Sequence, residues 1–225
     1  MKEKDNSILD DLNENTLSRE LNDTLMELGN IGSGNAITAL SKLLDKKIDM
    51  ALTILKVVPF WEVPYLYEDP ETRVFGILSK IKDNDDLIFL QLYTVESAIN
   101  LINGLEVKEK SPLQKDKIKV LEDLDDFSLS IISEIGNIVA GHYSSALANL
   151  MSIRLVPDVP DVALENVSAL IDSIIASNCE GNNYSIIIEN RLNLDELEFK
   201  GHFFLIPSME TIAHFIHALN LKYDF

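Results

Sequence analysis

Cysteine is almost missing: Cys179 is the one thiol in 225 residues. A single cysteine cannot close an intramolecular disulfide, and alone it cannot anchor a thiolate zinc site. Histidine is scarce too, limited to His142, His202, His214 and His217, and no HExxH pair occurs. Any metal held by this chain would therefore rest mainly on carboxylates. Positive charge is short: 19 Lys and Arg stand against 37 Asp and Glu, a formal charge of −18. Such a surface repels phosphate backbones and anionic lipid, which argues against nucleic acid as a partner. No run approaches the ~18 consecutive apolar residues of a membrane span, so no membrane insertion is expected. The opening MKEKDNSILDDLNEN has no apolar core of the signal-peptide kind. These absences point to a cytoplasmic protein whose residues 1–16 form a flexible polar tail. What remains is ordinary: 46% apolar and 25% charged residues, the balance of a globular chain with enough material for a core.

The chain repeats itself. Residues 23–36 read DTLMELGNIGSGNA and residues 130–143 read SIISEIGNIVAGHY. Glu27-Leu-Gly-Asn-Ile thus matches Glu134-Ile-Gly-Asn-Ile. A second echo pairs residues 88–105 with 202–219, at a slightly longer offset that sets Glu96 against Glu210 and Leu105 against Leu219. Internal repetition of this kind is the mark of a duplicated unit. We read residues 17–225 as one domain of two related halves, about 17–105 and 124–221, joined by the Lys- and Glu-rich stretch 106–123. Each half follows one order. A long amphipathic helix (17–44; 124–150) leads to a strand ending near a proline (48–58; 152–156). Two β-like runs follow (73–81 and 87–93; 184–189 and 198–206), then a closing helix (95–104; 208–220). Residues 162–178 add a stretch with helical spacing. The expected class is α+β, with pseudo-twofold halves and antiparallel strands.

At 100° per residue, Leu21, Leu25, Leu28, Ala36, Ala39 and Leu43 share the sector expected to be buried in the first helix. Ile132, Ile135, Val139, Ala146 and Leu150 do so in the second. Opposite them run two polar stripes: Asp23, Glu27, Asn30 and Gly34, then Ser130, Glu134, Asn137 and Gly141. The spacing Glu-x-x-Asn alone proves little, since Glu3/Asn6 and Glu180/Asn183 have it too. Its repetition in register with two apolar faces is the specific signal. The plain alternative is a solvated helix face inherited by duplication.

Glycine inside a helix costs about 1 kcal/mol relative to alanine, so each interior glycine needs a reason. Gly29 and Gly136 are expected to admit a crossing helix of the same protein. Gly34 and Gly141 lie on the outward stripes, where a small residue clears room for an external partner. Neither asparagine nor a lone glutamate is a strong nucleophile, and no activated Ser or Cys/His pair falls in register. A carboxamide donates and accepts hydrogen bonds at once. It can hold a water against an electrophile that is already reactive, such as an aspartyl phosphate on another protein. Phosphoryl transfer depends mostly on positioning and charge stabilisation.

These residues resemble the CheC family of chemotaxis phosphatases, which includes CheX and FliY. The family motif is Asp or Ser, three residues, Glu, two residues, Asn, and then a Pro at the spacing that separates Asn137 from Pro160. The second copy matches in full at Ser130, Glu134, Asn137 and Pro160. The first matches at Asp23, Glu27 and Asn30 but has Thr53 where the proline should stand. The resemblance spans about 17–221. Two copies in this length look like the CheC type; CheX-type members carry one, and FliY-type members add a switch domain for which these residues leave no room.

The resemblance implies an enzyme, an aspartyl-phosphate phosphatase acting on phosphorylated CheY, the chemotaxis response regulator. It implies that Asn30 or Asn137 orients the attacking water and that Glu27 or Glu134 docks on a CheY lysine, with Asp23, Gly34, Ser130 and Gly141 supporting from the same face. It implies no cofactor of the chain's own, the Mg²⁺ belonging to CheY. CheD, a receptor-modifying deamidase, is a second candidate partner. The rival reading is a non-catalytic module that binds CheD or flagellar-switch components, with Phe60, Trp61 and Tyr65 as a docking patch or, more in keeping with their type, as core. A metal-dependent hydrolase is disfavoured, because Asp10/Asp11 and Asp85/Asp86 fall in apparent tails or loops without convergent partners.

Overall fold

The computed structural model describes residues 19–82, 84–104, 112–178, 184–194, 197–207 and 211. Helix α1 (Arg19–Leu44) leads into strand β1 (Ile48–Pro59) and a 3₁₀ segment (Phe60–Leu66). Strands β2 (Arg73–Ile81) and β3 (Asn84–Thr94) form a hairpin, followed by α2 (Val95–Gly104). The second half begins with α3 (Asp126–Met151), then β4 (Asp161–Asn166), α4 (Val167–Asn178), β5 (Tyr184–Leu194) and β6 (Leu197–Pro207). The closing helix expected over 208–220 and the tail 1–16 lie outside the described residues.

One six-stranded sheet runs β1-β5-β6-β3-β2-β4, and every pairing is antiparallel. The order is a palindrome of the two halves. In the centre β3 pairs with its counterpart β6, and Leu90 faces Phe204. Those two residues are also partners in the sequence repeat that sets Glu96 against Glu210, so the pseudo-twofold axis passes between them. On either side the halves exchange strands: β1 of the first pairs with β5 of the second, and β4 of the second with β2 of the first. Each half thus completes the other's hairpin, which ties both long helices to one sheet.

Helices and sheet make three layers. On one face Phe75, Ile77, Phe89, Phe203 and Leu205 of the sheet pack under α1, α2 and α3. On the other, Val74, Leu90, Leu92 and Phe204 pack with Phe60 and Val63 of the 3₁₀ segment and with Val167, Ile171 and Ile174 of α4. The alternation of β3 follows from period-2 side-chain geometry: odd positions feed one core and even positions the other. Ser79 points into this interior fully buried, and its Oγ is the buried side-chain oxygen with no hydrogen-bond partner among the described residues. An unpaired buried hydroxyl costs about 1–3 kcal/mol. Ser79→Ala should therefore raise the stability measured by chemical denaturation, by about 1 kcal/mol.

The repeat is visible in backbone detail. Asp45 and Ser152 follow the two long helices with φ of 49° and 54°, and they are equivalent positions in the alignment that sets Glu27 against Glu134. The amide of Lys46 donates to the carbonyl of Ser41, and Ile153 to Ala148, each at 3.1 Å. Asp125 caps α3 by accepting from the Ser128 amide at 2.8 Å, which satisfies one of the helix's free N–H groups.

Three sequence expectations are corrected. Residues 152–156 are not a strand. The strand of the second half is β4, which begins only at Asp161. Residues 162–178 divide into most of β4 and then α4; continuous apolar spacing hid a strand-to-helix change. Asp85 and Asp86 lie within β3 rather than a loop. Among the described residues no helix is long and apolar enough to cross a membrane.

Candidate functional site

Helix α1 buries Gly29, Gly32, Ser33, Ala36 and Leu40. Ala36 was expected on this face. Ala39 is half-buried and Leu43 exposed. The side chains of Leu21, Leu25 and Leu28 lie outside those described. In α3, Ile132, Ile135, Val139 and Ala146 are buried as expected, and Leu150 is half-buried. Small residues let the helices meet. A Cβ at Gly32 would lie 2.6 Å from the Tyr143 ring of α3, and that ring stacks on Phe203 at 4.0 Å. Gly32 is therefore a helix-crossing glycine. A side chain at Gly136 would instead collide with Ile77 of β2, so that glycine seats α3 on the sheet.

Turned away from these contacts are the two stripes. Asp23, Glu27 and Asn30 are exposed on α1, and Ser130, Glu134 and Asn137 on α3. Gly34 and Gly141 are half-buried, yet a Cβ added to either would meet nothing within 4 Å. Thr38 Oγ1 donates to the Gly34 carbonyl at 2.9 Å, and Ser145 Oγ to the Gly141 carbonyl at 2.8 Å. The same back-bond thus recurs one turn beyond each glycine, at equivalent positions of the repeat. Ser130 Oγ donates to the Asp126 carbonyl at 2.7 Å, which leaves its lone pairs toward solvent. Neither the Asn30 nor the Asn137 carboxamide has a hydrogen-bond partner among the described residues. Both amides are free to bond elsewhere.

The surroundings of the two stripes differ. Beside α3 lies an open groove of about 620 Å³. Ser130, Glu134 and Asn137 line one wall; Pro157, Val159 and Pro160 line the other. All four motif positions of the second copy thus meet at one groove. The second wall is pinned to the end of β2 and the turn after it, where Lys82 N–H donates to Val156 O and Asp158 N–H to Lys80 O, both at 2.8 Å. An exposed Lys82–Asp158 ion pair at 3.7 Å sits at the rim. Val159, 80% exposed, projects from the wall. Sequence reasoning singled out Pro160 but missed Lys82, Asp158 and Val159, which join the site only through the fold.

The reason for the missing proline of the first copy is now physical. In the alignment that sets Glu27 against Glu134, Pro157 and Pro160 correspond to Met50 and Thr53. Proline has no N–H for a β ladder and leaves a sheet or stays at its edge. In the second half the chain stays out of regular pairing until β4 begins at Asp161, with an isolated bridge at Ile81–Pro157. In the first half β1 continues as ladder with a bulge between Met50 and Leu52, and Thr53 pairs with Asn190 of β5. The wall is therefore built from prolines, and the first half makes ladder in its place.

Trp61 and Tyr65 are 46% and 75% exposed, whereas Phe60 is buried. The expectation of core packing holds for Phe60 alone. Among the described residues no three His, Cys, Asp or Glu side chains converge as metal ligands.

Residues 22–51 and 127–164 match a family model described as the CheC-like family. Those segments hold α1 with the start of β1, and α3 with the wall and the start of β4. The CheY-P phosphatase CheC of Bacillus subtilis (strain 168) is 28% identical over 212 residues, covering 91% of this chain and 96% of that protein. The flagellar motor switch phosphatase FliY of the same organism is 23% identical over 152 residues, 68% of this chain and 38% of that longer protein. Among solved structures, Thermotoga maritima FliY superposes with a TM-score of 0.69 at 16% identity, covering 92% of this chain and all of that one. A chain of the H. pylori FliG–FliM complex superposes with a TM-score of 0.64 at 13% identity, over 92% of this chain and all of that one. At such identities the structural likenesses establish a shared fold. Family sequence thus falls at both long helices, each carrying its exposed glutamate–asparagine stripe, and in both of its halves the chain is similar to the CheC-like family.

Proposed function

We propose that the chain is a phosphatase that accelerates hydrolysis of the aspartyl phosphate of the response regulator CheY, working from two sites in the cytoplasm. The observation that carries this reading is the pair of amides, Asn30 and Asn137, without a partner among the described residues and exposed at equivalent helix positions beside Glu27 and Glu134. The full-length likeness to a protein named CheY-P phosphatase CheC supports the substrate. In this reading the glutamate docks on a lysine of CheY. The asparagine then reaches into the CheY active site and holds a water in line with the phosphorus–oxygen bond. The amide acts by placement, and effective orientation of a nucleophile is worth several powers of ten. The water attacks phosphorus, the aspartyl oxygen leaves as carboxylate, and inorganic phosphate departs. The Mg²⁺ of the reaction is held by CheY and neutralises the charge on the phosphoryl group.

The outward glycines fit this use. A helix glycine with open space above it is costly unless something else must come close. Gly141→Ala should raise folding stability by about 1 kcal/mol, since no neighbour obstructs the new methyl. It should at the same time lower turnover at the second site, because the methyl stands where the partner's backbone must pass. Thermal denaturation and single-site turnover measured on one preparation separate the two effects; unchanged turnover would show that the partner does not approach there.

A second reading is a binding module of the flagellar switch or for CheD, favoured by the fold shared with the FliM and FliY chains and by exposed Trp61 and Tyr65. Phosphate release from phosphorylated CheY, followed with catalytic amounts of the chain, decides between them. Multiple turnovers support the phosphatase, and release no faster than CheY alone supports the module.

A further inference from the structure

The two stripes match in sequence, but what lies beneath them does not. Gln91 sits on β3, fully buried, on the face that carries α3. Its Nε2 donates to the carbonyl oxygen of Gly136 at 2.8 Å. Gly136 is the residue next to Asn137 in α3, and its carbonyl already belongs to the helix ladder, so Gln91 uses the second lone pair. The other end of the amide is held as well, for Tyr93 Oη donates to Gln91 Oε1 at 3.1 Å. Burial pushes the Tyr93 phenol well above its ordinary range, with a smaller push from Tyr143, and the group stays a donor at all working pH. Tyr93 has room because Gly201 on β6 has no side chain; a Cβ there would lie 2.5 Å from the ring.

None of this is repeated in the other half. In the alignment that sets Leu90 against Phe204, Gln91 corresponds to Leu205, Tyr93 to Pro207 and Gly201 to Leu87. Leu205 is buried in the same core but has no group to donate. The glycine that corresponds to Gly136 is Gly29, and no such side chain reaches it from that position. One long helix is thus tethered to the sheet by a polar chain of Tyr93, Gln91 and Gly136. At the equivalent place on the other helix the Gly29 carbonyl accepts from Ser33 Oγ of the same helix, at 2.6 Å, a bond that does not reach the sheet.

We infer that Gln91 is a positioning residue for the second site: its buried amide sets the rotation of α3 and so aims Asn137. The inference rests on the proposed use of Asn137. Apolar contacts are non-directional and tolerate small rotations of a helix about its axis, whereas a hydrogen bond weakens steeply off line. With side-chain ends about 5–6 Å from the helix axis, a rotation of about 10° moves them by about 1 Å. A misplacement of about that size can cost about a hundredfold in rate. A directional tether one residue from the working amide is thus in a position to govern turnover.

The test is Gln91→Leu, which copies the residue of the other half. It is made in two backgrounds, Asn30→Ala, where the second site works alone, and Asn137→Ala, where the first does. In the Asn30→Ala background kcat for phosphate release should fall about tenfold or more, with KM for phosphorylated CheY within about twofold. In the Asn137→Ala background kcat should not change. An equal loss in both backgrounds, or no loss in the first, overturns the inference. Tyr93→Phe keeps the amide but frees its far end, and should give a smaller loss with the same dependence on background. Amide hydrogen exchange supplies a readout that does not need activity: Gln91→Leu should speed exchange in α3 more than in α1. If the parent chain releases no phosphate, the phosphatase reading falls, and uniform exchange across both helices would then sink the tether separately.

Discussion

With Asn30 and Asn137 both replaced by alanine, accelerated release of phosphate from phosphorylated CheY should disappear while the fold stays intact. The two halves of this expectation have separate grounds. Both amides are exposed and bond to nothing among the described residues, so their removal leaves no buried group unpaired. Alanine is also the better helix former, by roughly half a kcal/mol per site, and the double variant should unfold slightly later than the parent. Catalysis is different, because in the proposed reaction the amide has nothing to do but orient. Loss of orientation should lower turnover about a hundredfold or more, leaving only CheY's own hydrolysis. The single variants should not be equal. Asn137 faces a walled groove that includes Pro160, whereas the first half has strand where that wall would be, so Asn137→Ala should remove the larger share. Steady-state phosphate release with each single and the double variant checks all three statements. Full activity in the double variant would end the assignment.

Why the stripes could be read from the sequence is itself a matter of physics. A helix converts sequence spacing into angle at a fixed 100° per residue, so Glu27 with Asn30 and Glu134 with Asn137 had to share a face wherever the helices packed. The duplication added a check, since a polar face kept twice in register with two apolar ones is hard to obtain from surface drift. The same arithmetic missed the extent of the buried face of α1. The described contact runs through Gly32 and Ala36 toward Tyr143, and small residues give an apolar-face count little to weigh.

The strands were legible one at a time, and their partners were not. Alternation located β1, and short β-like runs located β2, β3, β5 and β6. The exchange of β1 and β4 between halves is decided by three-dimensional pairing, about which local pattern is silent. The wall of the second site was half legible: Pro157 and Pro160 mark a segment that cannot continue a ladder, but its contact with Lys80 and Lys82 joins residues from opposite halves of the chain. Gln91 was invisible for a related reason. A glutamine inside QLY on a strand has no local sign that distinguishes a buried tether from an exposed side chain, and only the packing of α3 over β3 gives it an acceptor.

Replacing Glu27 and Glu134 together by lysine should weaken binding to CheY about tenfold or more. The direction of the effect is the informative part. Each reversal adds two units of charge, so the chain would go from −18 to −14. Response regulators are commonly acidic around the phosphorylation site, so long-range electrostatics alone would make the less acidic variant the better binder. Local pairing predicts the opposite. A lysine of CheY that met a carboxylate would now meet an ammonium, and like charges set against each other at an interface are strongly disfavoured. At physiological salt the screening length is about 8 Å, which dulls the general field and leaves a contact pair nearly intact, so the local effect should win. Titration calorimetry at about 0.15 M salt measures the outcome, with Glu27→Gln plus Glu134→Gln as the control that removes the attraction without adding repulsion. The expected order of affinity is parent, then glutamine pair, then lysine pair. A lysine pair that binds more tightly than the parent would mean that Glu27 and Glu134 do not touch a cation on the partner, and the docking role would pass to other residues of the groove.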